Sequence, residues 1–495
     1  MKKAYILCLL LSIPLARIFC QLENVSFSTE ALAGYISPDK MPFWLRSNRF
    51  GSIPLDNASL SLLGAVRKDY DPVNKGIFDW GTSIEGRLNM GNQLNFILVE
   101  GYGKLRVSIF ELKAGRSKDI TGLCDTSLSS GSWTISGNAL GIPKVQISIP
   151  EFYTIPWLGK LFAFKSQIMH GWFGETIMYR YEGFDFYDED TIYLNAFLHQ
   201  FSFYGRFGKP GWKLKLYGGF NHQATWGNEK SYFTDDFKLS ILNTYLYVIT
   251  GKPYTNGRIK NERLGDHMGS IDIGIEYTFE KIKVLGYRQN VYSAGALYHF
   301  ANLQDGLNGI SIENRAMRNT LFRWEKILFE FLYTKNQAGE PWSPDTPSPY
   351  ESYYNHGQYI HGWSYNGLGL GTPFITPRNY TREELPSWPL EYFINNRVRA
   401  FHLGFEGGLQ LWTYTLKASW SNNFGTYYTT DEEQTTDIPD PGNIGIFGRQ
   451  DQFSACIDFS RPLKKGFTVG GIAAFDLGDL YYDSFGVLLK IAKEF

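Results

Sequence analysis

From Phe485 to its carboxyl end the chain reads FGVLLKIAKEF, an ending that few folds accept. Side chains alternate across a strand, so Phe485, Val487, Leu489, Ile491 and Phe495 share one face, broken only by Lys493. Gly486, Leu488, Lys490, Ala492 and Glu494 share the other. One face is apolar almost to the last residue, and the other is mixed. Such a strand suits the closing position of a membrane β-barrel, where the outer face meets lipid and the final strand pairs with the first. A closing strand in a soluble β-sandwich would alternate too, so the rest of the chain must decide.

The amino-terminal end reads as an export signal. Lys2 and Lys3 precede a leucine-rich apolar run from Ala4 to Leu15, which breaks up around Pro14 and Arg17 before Gln21. The run is too short to cross a bilayer as a helix and has the layout of a secretory signal peptide. We place the signal at residues 1–20, with cleavage after Cys20 and Ile18 two positions before it. A lipidated Cys20 is the rival reading, and the bulky Phe19 stands against it.

Without residues 1–20, 45 of the 48 lysines and arginines remain against 49 aspartates and glutamates, a net charge of −4. That balance gives no reason to expect a nucleic-acid partner. Only Cys124 and Cys456 remain of the four cysteines, and two cannot build a disulfide scaffold; they could pair or stay free. Aromatic residues make up 17% of the chain and glycines number 51, both high. Aromatic girdles at two membrane interfaces, with glycine where strands bend, account for both excesses. No second apolar run approaches the length of a membrane helix, which a barrel would not show, because only alternate residues face lipid.

Segments of period two recur from end to end with no linker between them. Ile271, Ile273, Ile275, Tyr277 and Phe279 alternate with polar or small residues, as do Trp212, Leu214, Leu216, Gly218 and Phe220. Trp412 to Trp420, Ile327 to Tyr333 and Phe467 to Phe475 repeat the scheme. Short turns such as GKPG at 208–211 and MGNQ at 90–93 join some neighbours, while long polar segments at 338–350 and 430–443 intervene elsewhere. Short turns at one end and long loops at the other are how outer-membrane barrels are built. The expectation is an all-β fold, one large antiparallel transmembrane barrel over residues 21–495, with on the order of 16 to 20 strands of ~10 residues. One stretch breaks the period: Phe237, Ile241, Leu242, Tyr245, Leu246 and Ile249 repeat at helical spacing. It reads as a short helix in a loop or inside the lumen, or as a poorly alternating strand.

Catalytic signatures are missing. There is no G-x-S-x-G, H-E-x-x-H, Walker loop or paired C-x-x-C. Gly367, Gly369 and Gly371 run into Pro373 rather than a helix, so a strand or turn is expected there and not a phosphate cradle. His356 and His361 are the closest histidines, with little else to make a metal site, so no catalytic residue, metal or cofactor is assigned. Tyr350 to Tyr365 (YESYYNHGQYIHGWSY) is a dense run of aromatics, amides and imidazoles. Aromatic faces stack on the C–H faces of sugars while the polar groups bond hydroxyls, so the run suits a glycan surface; girdle and lumen packing would use the same residues.

Short blocks in a fixed order resemble the capsule assembly Wzi family in its Bacteroidetes form. They are PFWLRSNRFG at 42–51, LSSGSWTISGNA at 128–139 with Ile142-Pro143, HQATWG at 222–227 and LGDHMGSID at 264–272. QDGLNG at 304–309, Tyr353 to Gly362 with Trp363-Ser364-Tyr365, and Gly371-Thr372-Pro373 complete the series. Asn308 and Asn228 depart from the family's usual residues, and nothing like the helical bundle closing the enterobacterial form is visible beyond the candidate helix at 236–249. The resemblance implies an outer-membrane barrel of about 18 strands that binds capsular or extracellular polysaccharide without catalysis. Its partners would be that polysaccharide, outer-membrane lipid and the barrel assembly machinery, which would read the strand ending in Phe495. Tyr353, Tyr354, Asn355, His356 and Trp363 are the candidate glycan contacts. His222, His267, Asp272, Gln289 and Asp305 are expected in a polar network in the lumen. A porin-like channel, or another outer-membrane transport protein, would share every barrel feature, and an outer-membrane enzyme would need a convergent set not found here.

Overall fold

The computed structural model describes residues 24–37, 40–74, 76–179, 191–316, 321–430 and 445–495. The expected signal segment, and all but Thr430 of the 430–443 loop, lie outside the described residues.

Period-two segments become the staves of a closed barrel. Its strands are β1 (Val25–Ile36), β2 (Ala58–Lys68), β3 (Phe78–Met90), β4 (Leu94–Val107), β5 (Phe110–Arg116) and β6 (Lys144–Thr154). Next come β7 (Phe162–Tyr179), β8 (Thr191–Phe207), β9 (Leu214–Trp226), β10 (Asp266–Thr278), β11 (Ile282–Tyr292) and β12 (Gly306–Asn314). β13 (Phe322–Tyr333), β14 (Val398–Leu409), β15 (Trp412–Asn423), β16 (Gln450–Pro462), β17 (Phe467–Gly478) and β18 (Ser484–Glu494) complete it. The strands form one 18-stranded antiparallel sheet in chain order. It closes where β18 pairs with β1, Ala33 opposite Leu489 and Ser28 opposite Glu494. Closure leaves no open edge, which a sheet in lipid requires.

Faces follow the alternation. On β18, Leu489 is 58% exposed and Leu488 1%, so the apolar row of the ending points outward as expected. Ile271, Ile273 and Ile275 on β10 do the same, while Ser270 and Asp272, which alternate with them, are buried in the interior. Outward residues are apolar because lipid is their solvent; inward ones are polar because loops and water meet them.

The ends differ. Two-residue turns join β4 to β5 and β14 to β15 at the end that holds both chain termini. At the other end lie the segments 37–57, 117–143, 227–265 and 334–397. In barrels of this kind the short turns are periplasmic and the long loops extracellular. Among the described residues the long loops carry three α-helices: α1 (Phe43–Arg46), α2 (Glu229–Phe233) and α3 (Ile241–Thr250). The helix expected over 236–249 starts later than its apolar spacing suggested. Ser240 caps it, its hydroxyl accepting from the Asn243 N–H, and Gly251 ends it in the left-handed conformation at φ 62°. Cys124 and Cys456 are free thiols.

Candidate functional site

The lumen holds protein. Segment 117–143 turns inward from β5 and crosses the barrel, and inward polar side chains bind it along an unbroken run of wall from β9 to β15. Asn221 and Gln223 on β9 donate to the Thr134 hydroxyl at 2.7 and 3.0 Å. Asp272 on β10 accepts from the Leu123 N–H at 2.8 Å. On β11 the Gln289 carbonyl accepts from the Trp133 N–H, and its amide donates to Ser132. Ser311 on β12 donates to Asp125. Glu330 on β13 accepts from the Ser129 hydroxyl at 2.7 Å and the Ser130 N–H at 2.6 Å. His402 on β14 and Lys417 on β15 reach the Leu128 and Ser129 carbonyls. Buried backbone outside a sheet needs partners, and the wall supplies them side chain by side chain.

A second long segment locks over the first. Trp363 donates its indole N–H to the Thr134 carbonyl at 2.8 Å, Ser136 donates to the Gly371 carbonyl, and Asn138 donates to that of Gly369. Tyr354 donates to the Trp133 carbonyl and accepts from the Thr372 N–H. A side chain at Gly371 would overlap the Trp133 carbonyl, so only glycine lets the segments approach. The glycine run 367–371 is therefore a packing device: Ser364–Tyr365 pairs with Leu368–Gly369 as a small hairpin. From segment 37–57, Asn48 donates to the Ser130 carbonyl, and Phe43 and Trp44 of α1 pack on Phe374 and His402. Three loops thus interlock into one plug.

Charge pairs hold the cap together. Arg397 is fully buried against Glu340 and stacks on Tyr427. Asp305 accepts from the Asn336 and Gln337 N–H groups and from the Tyr353 hydroxyl at 2.6 Å; burial raises its carboxyl to about 7. Glu391, which takes hydroxyls from Ser352 and Thr426, is raised to about 7 for the same reason. Glu351 caps the turn 293–296 by accepting from three backbone N–H groups, and burial raises its pKa too.

Among solved structures, the chain is similar to Wzi of Escherichia coli, an outer-membrane protein involved in group 1 capsule assembly and described as a carbohydrate-binding β-barrel. That likeness has a TM-score of 0.53 at 13% identity, covering 97% of this chain and 87% of that one. Weaker likenesses reach OpdQ of Pseudomonas aeruginosa (TM-score 0.44, 10% identity, 96% of this chain and 99% of that one) and OccAB2 of Acinetobacter baumannii (0.45, 9%, 96% and 98%). No protein-family model matches the chain, and no curated protein sequence matches it. With the closed sheet, the outward apolar face and the loop asymmetry, the class is settled. The chain is an outer-membrane β-barrel.

The barrel treats the residues singled out in its sequence unequally. Tyr353, Tyr354 and Trp363 have no exposed face: they form the buried centre of the plug with Trp133. Asn355 is buried as well, exchanging two hydrogen bonds with the Phe393 backbone, and His356 accepts from the Gln358 and Tyr359 N–H groups. The expectation that these side chains offer stacking surfaces is corrected: the apolar faces that would grip a sugar grip one another.

The five residues expected in a lumen network lie in three places. Asp272 and Gln289 face inward as described, and Asp305 lies in the cap beside Tyr353. His222 and His267 point the other way, outside the wall. The alternation explains it, since Asn221 and Gln223 take the lumen side and leave His222 outward. There His222 lies 3.4 Å from His267 and accepts from or donates to the Tyr292 hydroxyl at 3.0 Å. Among the described residues no group of three or more His, Cys, Asp or Glu side chains could hold a metal ion. Sequence reasoning missed Glu330, His402 and Lys417, whose partner segment lies about two hundred or more residues away. It also missed the aromatics that are accessible at the long-loop end: Tyr298, Phe300 and Trp342, all largely exposed, and the stacked pair Trp388 and Tyr428 at 4.8 Å.

Proposed function

We propose that this barrel is a closed, non-catalytic anchor that binds capsular or extracellular polysaccharide at the cell surface, as a member of the Wzi-like group. One observation carries the reading: segment 117–143 is bonded across the lumen to every strand from β9 to β15. A barrel built to pass solutes keeps a water-filled path, whereas from β9 to β15 this one spends inward polar groups on its own loop. What remains for a ligand is the outer surface of the cap. Rings at Tyr298, Phe300, Trp342 and Trp388 can stack on sugars there, with carboxylates and amides nearby for hydroxyls. Each contact is modest, so retention depends on one polymer engaging many barrels. The carboxyl-terminal strand ending in Phe495 would be the segment read by the barrel assembly machinery.

Capsule retention tests the proposal. Cells with Tyr298, Phe300 and Trp388 changed to Ala, in a barrel still assembled, should release more polysaccharide into the medium than the parent. Unchanged retention in a complete deletion would overturn the binding role.

A further inference from the structure

Helix α3 does not lie in the lumen or above the mouth. It lies against the outside of the wall. Tyr245 on its inner side places its hydroxyl 3.0 Å from His199 Nδ1 and packs its ring on His170 and Trp226. These side chains are on the outward face: Ser202 and Tyr204 on β8, and Asn221 and Gln223 on β9, fill the inward one. Thr244 and Val248 of the helix are buried toward the barrel, yet Ile241, Leu242 and Leu246 are 72%, 65% and 45% exposed. A water-exposed helix would carry charge on that side. This one has none from Leu239 to Gly251, and Lys238 and Lys252 flank the uncharged stretch.

Height along the wall says what covers the exposed side. His199, which Tyr245 meets, pairs with Ala224, ten residues up β9 from Leu214, the first exposed apolar residue of that strand. At ~3.4 Å per residue and a tilt of about 40°, that is roughly 26 Å, at the upper edge of a ~25 Å apolar band. Phe220 and Ile271, exposed just below, continue the same surface. We propose that α3 is inserted in the outer leaflet of the membrane: Ile241, Leu242 and Leu246 lie among acyl chains, and Lys238 and Lys252 sit at headgroup level. The helix is two-sided for a reason. Its inner side covers two outward imidazoles, His170 and His199, through Tyr245, beside the outward pair His222 and His267. Its outer side restores the apolar surface that those histidines interrupt, as interfacial helices do.

The test uses the full-length barrel in phospholipid vesicles with a nitroxide on Leu246→Cys, and separately on Leu242→Cys. The unsubstituted protein, in which Cys124 and Cys456 lie inside the fold, serves as the labelling control. Power saturation compares molecular oxygen, which partitions into acyl chains, with a water-soluble nickel chelate. Both labels should favour oxygen, and a label on the exposed loop residue Glu384→Cys should favour nickel. Labels at 242 and 246 as open to nickel as that at 384 would overturn the proposal by placing the helix in water. Labels shielded from both reagents would overturn it in favour of a protein partner, such as a second copy.

Discussion

Glu330 is a charged wall residue that holds the plug at two successive positions. Its carboxylate takes the Ser129 hydroxyl, the Ser130 N–H and the Tyr287 hydroxyl, all buried. Glu330→Ala would leave those donors unsatisfied and should loosen the plug by about 1–3 kcal/mol. Limited proteolysis should then cut within 117–143 in a barrel that still migrates as folded; an unchanged pattern would deny Glu330 that role. The cap titrates as well. Asp305 and Glu391, raised to about 7 chiefly by burial, hold protons in the folded cap that an unfolded loop gives up near pH 4. Their contribution is complete below about pH 4 and is lost as pH rises through about 7. His356, lowered by burial to about 4, works in the opposite sense: its contribution is present above about pH 6.5 and lost as pH falls through about 4. Two carboxyls outweigh one imidazole. Amide exchange across 334–397, corrected for intrinsic rates, should therefore be slower at pH 5.5 than at pH 8, and Glu391→Gln should shrink the difference. A cap equally protected at both pH values would contradict this. The residue scale is also where reading the chain failed. Tyr353 and Trp363 have the chemistry of a sugar platform, but burial is decided by Trp133 and Thr134, which lie far away in sequence.

Strands were legible because alternation is a local signal and lipid enforces it. The rows at 271–279, 412–420 and 485–495 point outward as their periods require. The outward face of β18 offers a direct check. Leu489→Arg, on the lipid side opposite Ala33, should cost roughly 2–4 kcal/mol, read as a fall in the unfolding midpoint in vesicles. A tolerated arginine would mean the faces are reversed. Helix α3 was half legible: its apolar spacing announced a helix, and its ends lay in Ser240 and Gly251. Its place outside the wall was not legible, because the side of the wall depends on the register of β8 and β9. The same register sends His222 outward while Asn221 goes in. A reading that ranks residues by chemistry alone cannot tell them apart; counting from Asn221 and Gln223 can.

At the scale of the molecule, the terminal strand, the excess of aromatics and the absence of a linker pointed to one barrel, and the sheet of 18 strands agrees. The plug was not legible. Nothing in LSSGSWTISGNA marks it as a segment that turns back into a lumen, since its partners come from strands up to β15 and from the 334–397 cap. Its serines, threonines and glycines make sense only once the wall surrounds them. On the proposed function, closure by that plug separates an anchor from a pore, so ion conductance is the measurement that bears on the account most directly. Purified barrel inserted in a planar bilayer at neutral pH should show no steady open-channel current, and Glu330→Ala should show intermittent opening. A stable conductance step in the unmodified protein, persisting across voltages, would contradict the account and make the barrel a channel.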